Sequence, residues 1–234
     1  MSYNQLVIST PWLFNIIKKE YPYRSYIRIM NSITDAQEYF DQRFDKVHLG
    51  PDEIISGKFT DCVFFQCSFE TAILNNCRFS NCLFQECNLN LVKLPGSSFP
   101  ATRFEKSKLM GVDWTQAAWS TSGFYSLVCF LECVISHSTF IGLELNRIQI
   151  TNCIANEVDF RDADLSNADF TGTDLARSIF SNTNLTEADL SQARNYMIDP
   201  SNNILTQAKF SMPEAMALLY SMDIVLKDQN DLTW

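Results

Sequence analysis

Glycine and histidine are scarce in this sequence, seven and two among 234 residues. The scarcity goes with missing enzyme signatures: there is no glycine-rich phosphate loop, no GxSxG elbow and no HExxH helix. CxxC pairs are absent too, and His48 and His137 stand apart from any ligand spacing, so neither a metal nor another cofactor is expected. No apolar run reaches membrane-spanning length. Lys18 and Lys19 follow the first apolar run instead of preceding it, the wrong order for a signal peptide. A cytoplasmic, non-enzymatic protein without membrane association is expected. Positive charge is in deficit, with a formal net charge of −9. That balance argues against direct nucleic-acid binding and favours a cationic partner or plain solubility.

What the chain does have is phenylalanine, 18 residues of it, set at a fixed interval. From Asp159 to Leu190 a Phe or Leu recurs at every fifth residue: Phe160, Leu165, Phe170, Leu175, Phe180, Leu185 and Leu190. Two residues before each centre stands a small or slim side chain, such as Ala163, Ala168, Thr173 or Ser178. A period of five is neither the helical 3.6 nor the strand period of 2. On a helix it would smear the apolar groups around the axis, so a repeat solenoid is the expectation. Ala163-Asp164-Leu165, Ala168-Asp169-Phe170 and Ala188-Asp189-Leu190 resemble the A(D/N)LXX unit of pentapeptide-repeat proteins. That resemblance implies an all-β fold, a right-handed quadrilateral β-helix with four pentapeptides per coil.

The repeat begins weakly near Leu49 and Ile54 and locks in at Phe59. It holds one frame to Phe124, then resumes one residue out of phase at Phe130, which places a frame slip near 125–129. Grouping centres twenty apart gives aromatic columns: Phe59–Phe79–Phe99–Trp119, continued across the slip by Phe140–Phe160–Phe180, and Phe64–Phe84–Phe104–Phe124, continued by Leu145. Trp114 falls above Ile135 on the same scheme. Nearly seven coils at ~4.8 Å are expected. Residues 1–45 are expected as a non-repeat N-terminal cap, residues 46–195 as the β-helix, and residues 196–234 as a C-terminal helix and tail. Within the cap, Trp12, Leu13, Ile16 and Ile17 fall at helical spacing after Pro11, Tyr26–Ile33 could pair as a strand, and Asp35–Phe44 could form a short helix opened by Thr34. In the tail, Ser211 and Glu214 match a capping box.

Seven of the eight cysteines occupy the small-residue slot two before a centre; Cys129 does not. They are expected as buried free thiols, with Cys62/Cys82, Cys67/Cys87 and Cys133/Cys153 each one coil apart. Charge is unevenly placed. From Glu157 to Leu190 there are eight acids (Glu157, Asp159, Asp162, Asp164, Asp169, Asp174, Glu187 and Asp189) against two bases, a net of −6; from Lys58 to Leu109 there are four acids and six bases, a net of +2. Asp just before a centre belongs to the repeat's own formula, so part of this acidity is structural. The rest suggests a thin acidic rod imitating duplex DNA.

The ending, IDPSNNILTQAKFSMPEAMALLYSMDIVL, is similar to the C-terminal region of the quinolone-resistance pentapeptide proteins and of the microcin immunity protein that protects DNA gyrase. The resemblance implies a homodimer joined through the last helix, here through Met212, Met216 and Leu219. It also implies a partner, DNA gyrase or topoisomerase IV, protected from a quinolone or a peptide toxin. A general protein–protein interaction scaffold, or a secreted effector built on the same repeats, is the competing expectation.

Overall fold

The computed structural model describes residues 29–119, 128–222 and 224. The chain winds as a β-solenoid of about eight coils with one short helix at its C-terminal end. Its square cross-section has four walls, named here by their first central residue. The Tyr39 wall stacks Tyr39, Phe59, Phe79 and Phe99, then Leu145, Leu165 and Leu185. The Phe44 wall stacks Phe44, Phe64, Phe84, Phe104, Phe130 and Ile150 in a parallel sheet. The Leu49 wall carries Leu49, Phe69, Leu89, Leu109 and Ile135, and the Ile55 wall Ile55, Leu74, Leu94, Trp114, Phe140 and Phe160.

Five residues suffice for one side because the backbone turns inward and outward on a fixed schedule. The centre's amide donates to the coil on one side, as Leu165 N does to Asn184 O at 2.8 Å, and the preceding amide donates to the other, Asp164 N to Leu143 O at 2.9 Å. The corner falls two residues after the centre, and there the chain takes a left-handed φ. Twenty-six non-glycine described residues do so, among them Asn167 at φ 57°. Such a φ costs an L-residue steric energy. It is held because the corner amide then points along the rod, Asn167 N reaching Thr186 O at 2.8 Å.

The interior is a set of ring stacks. Phe64 lies face to face with Phe44 at 4.8 Å and Phe84 at 4.4 Å, and meets Phe59 on the adjoining wall edge-on at 5.4 Å. Both geometries suit the aromatic quadrupole. The slot two before each centre is more than a small apolar filler. Ser107 Oγ accepts from Cys87 N (2.9 Å) and donates to Phe84 O (3.2 Å), bracketing the neighbouring coil. Thr173 does the same for Cys153 N and Ile150 O. Cys87 Sγ donates to Phe64 O at 3.3 Å, so a thiol serves wherever a hydroxyl would. All eight cysteines are free, and burial pushes the Cys77 thiol up to about 12. Iodoacetamide is therefore expected to leave the folded protein's seven slot thiols unlabelled and to label them in urea. Mass spectrometry showing two or more disulfides in unreduced protein would contradict this assignment.

Several boundaries differ from expectation. The coil starts before residue 46: Ile29–Met30 (β1) pairs with Arg43–Phe44, and Gln37–Phe40 (β2) pairs with Gly57–Thr60, so 35–44 is strand and turn instead of helix. Pairing to a preformed coil overrides the local helical pattern. Residues 1–28, with Trp12–Ile17, lie outside the described residues. Ile55, not Ile54, points inward, because one extra residue separates it from Leu49. The solenoid also outlasts Leu190, which pairs with Phe210, while Asn184 pairs with Ile204. Only the stretch around Asn195 departs from the period, with Tyr196 and Ile198 filling the core there.

The frame slip itself falls mostly outside the described residues, but its flanks measure it. Phe104 pairs with Phe130 and Asp113 with Thr139, twenty-six residues apart instead of twenty. One coil thus carries six extra residues, between Ala118 and Cys129. Trp114 stacks on Phe140 at 5.7 Å, and Leu109 sits above Ile135. The expected join of Trp119 to Phe140 is therefore wrong. Trp119 is half-buried, its indole N–H donating to Trp114 O at 2.8 Å.

At the C-terminal end the helix α1 spans Met216–Ser221 and has no side-chain cap. Ser211 Oγ accepts instead from Gln192 N at 3.1 Å, which withdraws it from the expected capping box. Ala217 and Leu218 pack on the core. Met212 is 69% exposed, with Tyr220 and Met222 also exposed, while Met216 and Leu219 are half-buried. No described helix is long and apolar enough to cross a membrane.

Candidate functional site

The eight acids of the C-terminal half do not share one wall. Asp159 stands on the Ile55 wall, Asp164 on the Tyr39 wall, Asp169 and Asp189 on the Phe44 wall, and Asp174 on the Leu49 wall. Glu157, Asp162 and Glu187 occupy left-handed corners and are exposed; the other five are half-buried. The half-buried position has a local cause. In the slot before a centre the carboxylate accepts from the amide two residues on: Asp164 from Ser166 N (3.0 Å), Asp169 from Thr171 N (2.9 Å) and Asp189 from Ser191 N (2.9 Å). Asn184 holds Thr186 N in the same way at 3.1 Å. Where that slot holds an acceptor, Asn serves as well as Asp, so the hydrogen bond does not require the charge.

Ion pairing divides the set in two. Asp159 pairs with Arg161 (2.7 Å), Asp174 with Arg194 (3.2 Å) and Asp189 with Lys209 (3.4 Å), while Glu157 lies between His137 and Arg177. Asp162, Asp164, Asp169 and Glu187 form no ion pair among the described residues. Neutral side chains hydrogen-bond two of them, Asn182 donating to Asp162 at 2.8 Å and Asn184 to Asp164 at 3.0 Å. These four are contiguous. Asp162 and Glu187 flank the Tyr39 wall at its two corners, Asp164 lies on it beside Glu144 in the neighbouring coil, and Asp169 is on the next wall. The Leu49 and Ile55 walls carry the compensated Glu157, Asp159 and Asp174 together with exposed Ile154 and Ile179, while Asp189, paired with Lys209, lies beside Asp169 on the Phe44 wall. This sorting was invisible in sequence, because the compensating Arg or Lys commonly lies one coil away, twenty residues off.

Partial burial pushes the Asp159 carboxyl up, but hydrogen bonds from the Arg161 guanidinium and amide outweigh it and hold the group below the ordinary 3.8. Asp174 is likewise held down against its burial by Asn195, the Ala176 amide and Arg194. A carboxylate lowered in the fold stabilises it fully above the unfolded value and loses that contribution as pH falls through the folded one. The urea midpoint is expected to stay level from pH 7 to about 5 and to fall in acid. Asp174→Asn should flatten that fall, and an unchanged acid limb would remove the assignment. No described group of His, Cys, Asp and Glu is arranged to hold a metal ion.

The sequence matches no curated protein. Among solved structures, a trypsin-treated variant of QnrB1, a plasmid-mediated fluoroquinolone resistance protein, aligns at a TM-score of 0.55 and 16% identity, over 82% of this chain and 98% of its own. HetL from the cyanobacterium Nostoc sp. strain PCC 7120, involved in heterocyst differentiation regulation, aligns at 0.52 and 17% identity, over 80% of this chain and 87% of its own. At that identity both likenesses concern the fold. Models of the pentapeptide repeat region and of pentapeptide repeats match residues 57–127, 144–182 and 156–192, together more than half of the chain. With that match over coils of five-residue sides, the chain belongs to the pentapeptide-repeat family.

Proposed function

We propose that this protein is a cytoplasmic, non-enzymatic DNA mimic that occupies the DNA-binding surface of DNA gyrase or topoisomerase IV and so protects it from a poison. The observation that carries the proposal is the uncompensated acidity of one side of the rod: Asp162, Asp164, Asp169 and Glu187 form no ion pair among the described residues. Lying on two adjacent coils ~4.8 Å apart, they present a short anionic track to a cationic saddle. Likeness in fold to a fluoroquinolone resistance protein supports the partner class. A second copy joined at the exposed Met212, with Met216 and Leu219, would lengthen that track across the join.

The test is gyrase supercoiling with a quinolone present, with and without purified protein, at rising salt. Restored supercoiling that fades as salt rises is the expected result. Protection absent at every salt concentration would leave the scaffold reading, which likeness in fold to the regulatory protein HetL and exposed Ile154 and Ile179 favour.

A further inference from the structure

The outer face of the Phe44 wall changes character along the rod. In each coil two side chains point outward from it, one on either side of the centre. Towards the C-terminal end they are polar: Gln149 and Thr151, Asp169 and Thr171, Asp189 and Ser191. In the first half they include Val63, Phe65, Leu83 and Leu131, all half-buried, with no described element packed against them. On the neighbouring Tyr39 wall the same coils hold Lys58 and Thr60, then Arg78 and Ser80. An apolar strip of this kind marks an interaction surface.

Two rows of charge frame the strip. Arg43 pairs with Asp45 at 3.6 Å and Arg103 with Glu105, each base before its centre and each acid after it. The Arg43 guanidinium lies over the Phe65 ring at 4.5 Å, which holds it on the wall. These rows are neutral and select neither an anionic nor a cationic partner, yet they complement themselves. A half-turn about an axis parallel to the rod keeps every row level and exchanges the positions before and after the centre. Arg103 then faces Glu105 of a second copy, Arg43 faces Asp45, and Val63 faces Phe65. At the flanking corners Glu86 meets Asn81 and Lys106 meets Ala101, so like charges stay apart in these rows. We propose that the Phe44 wall is a two-fold surface on which a second copy packs side by side, both rods running the same way. The contact is separate from the end-to-end join and does not depend on the proposed partner. From Arg43 to Gln149 the strip is about 24 Å long and one wall wide, short of the ~800 Å² per partner of a standard interface, so pairing is expected only at high micromolar concentration.

Two measurements test it, both on the full chain carrying Met212→Glu, which removes the end join. In sedimentation, self-association is expected to persist there and to weaken more than tenfold on adding Arg103→Glu or Glu105→Arg, since each sets like charges against like. Mixing the two charge variants should restore it, because the new acid at position 103 then faces the new base at position 105. In the second measurement, Gln85→Cys in a Cys129→Ser background should be linked between chains by a short bismaleimide, the native slot thiols being buried. Asn75→Cys, on the opposite Ile55 wall, should not be linked. A mixture that stays monomeric while position 85 forms no link would overturn the proposal. Linking at position 75 as readily as at 85 would overturn it as well.

Discussion

Phe64→Ala is expected to lower the unfolding free energy by about 3–5 kcal/mol, the range for truncating a buried Phe in a core that relaxes little. Phe64 is fully buried and touches five rings: Phe44 and Phe84 in its own column, and Phe59, Phe69 and Phe79 around it. Neighbouring coils are fixed by backbone pairing, Val63 to Leu83 and Phe64 to Phe84, so the walls cannot close over the void. Asn146→Ala, on an exposed position without a left-handed φ, should cost at most about 0.5 kcal/mol. Asn167→Ala should fall between them at about 1–2 kcal/mol, because Asn adopts its corner φ of 57° at less steric cost than Ala, although Ala36 and Ala101 show that Ala can be held there. Urea midpoints measure all three. A loss for Phe64→Ala no larger than that for Asn146→Ala would show that the stacks do not hold the rod.

Neutralising the uncompensated acids is expected to weaken gyrase binding by more than a hundredfold, while neutralising the compensated ones changes it a few-fold. The first set is Asp162→Asn, Asp164→Asn, Asp169→Asn and Glu187→Gln; the second is Asp159→Asn, Asp174→Asn, Asp189→Asn and Glu157→Gln. Both remove four charges, so net charge alone predicts equal losses. Asn is the right replacement because Asn184 already holds the turn amide in that slot, so the fold keeps its acceptor. The corners also accept other side chains, as Lys106 and Arg147 show at the same left-handed φ. Acids already paired with Arg161, Arg177 or Arg194 have less to offer a cationic saddle, since each brings its own counter-charge. Isothermal titration against gyrase at two salt concentrations distinguishes the sets. Equal losses, or no loss from the first set, would sink the DNA-mimic account.

The fold was legible because a period of five with Phe or Leu centres fits no other regular structure, and the wall assignments within each half follow from spacing alone. The join between halves did not. A slip of one residue and an insertion of six leave the same phase in a five-residue repeat, so only pairing of Phe104 with Phe130 distinguishes them. The last coil was missed for a related reason: Asn195 breaks the count, although Leu205 and Phe210 lie twenty beyond Leu185 and Leu190. The corners gave only a sparse glycine signal, Gly96, Gly111, Gly142 and Gly172 among the described residues, because Asp, Asn, Lys and Glu fill most of the others. Of the candidate surface, sequence reasoning found the acids but not which of them are free, since compensation runs across coils for Glu157, Asp174 and Asp189 and along the chain only for Asp159.

The brackets made by Ser107, Thr173 and the slot thiols tie each coil only to its immediate neighbour. Under a pull on the chain ends, such a rod has no long-range staple to share the load. It should peel from an end in a sawtooth of near-equal events, each releasing about 7 nm of contour for twenty residues. The coil of twenty-six residues would stand out as one tooth of about 9 nm, a ruler mark set partway along the molecule.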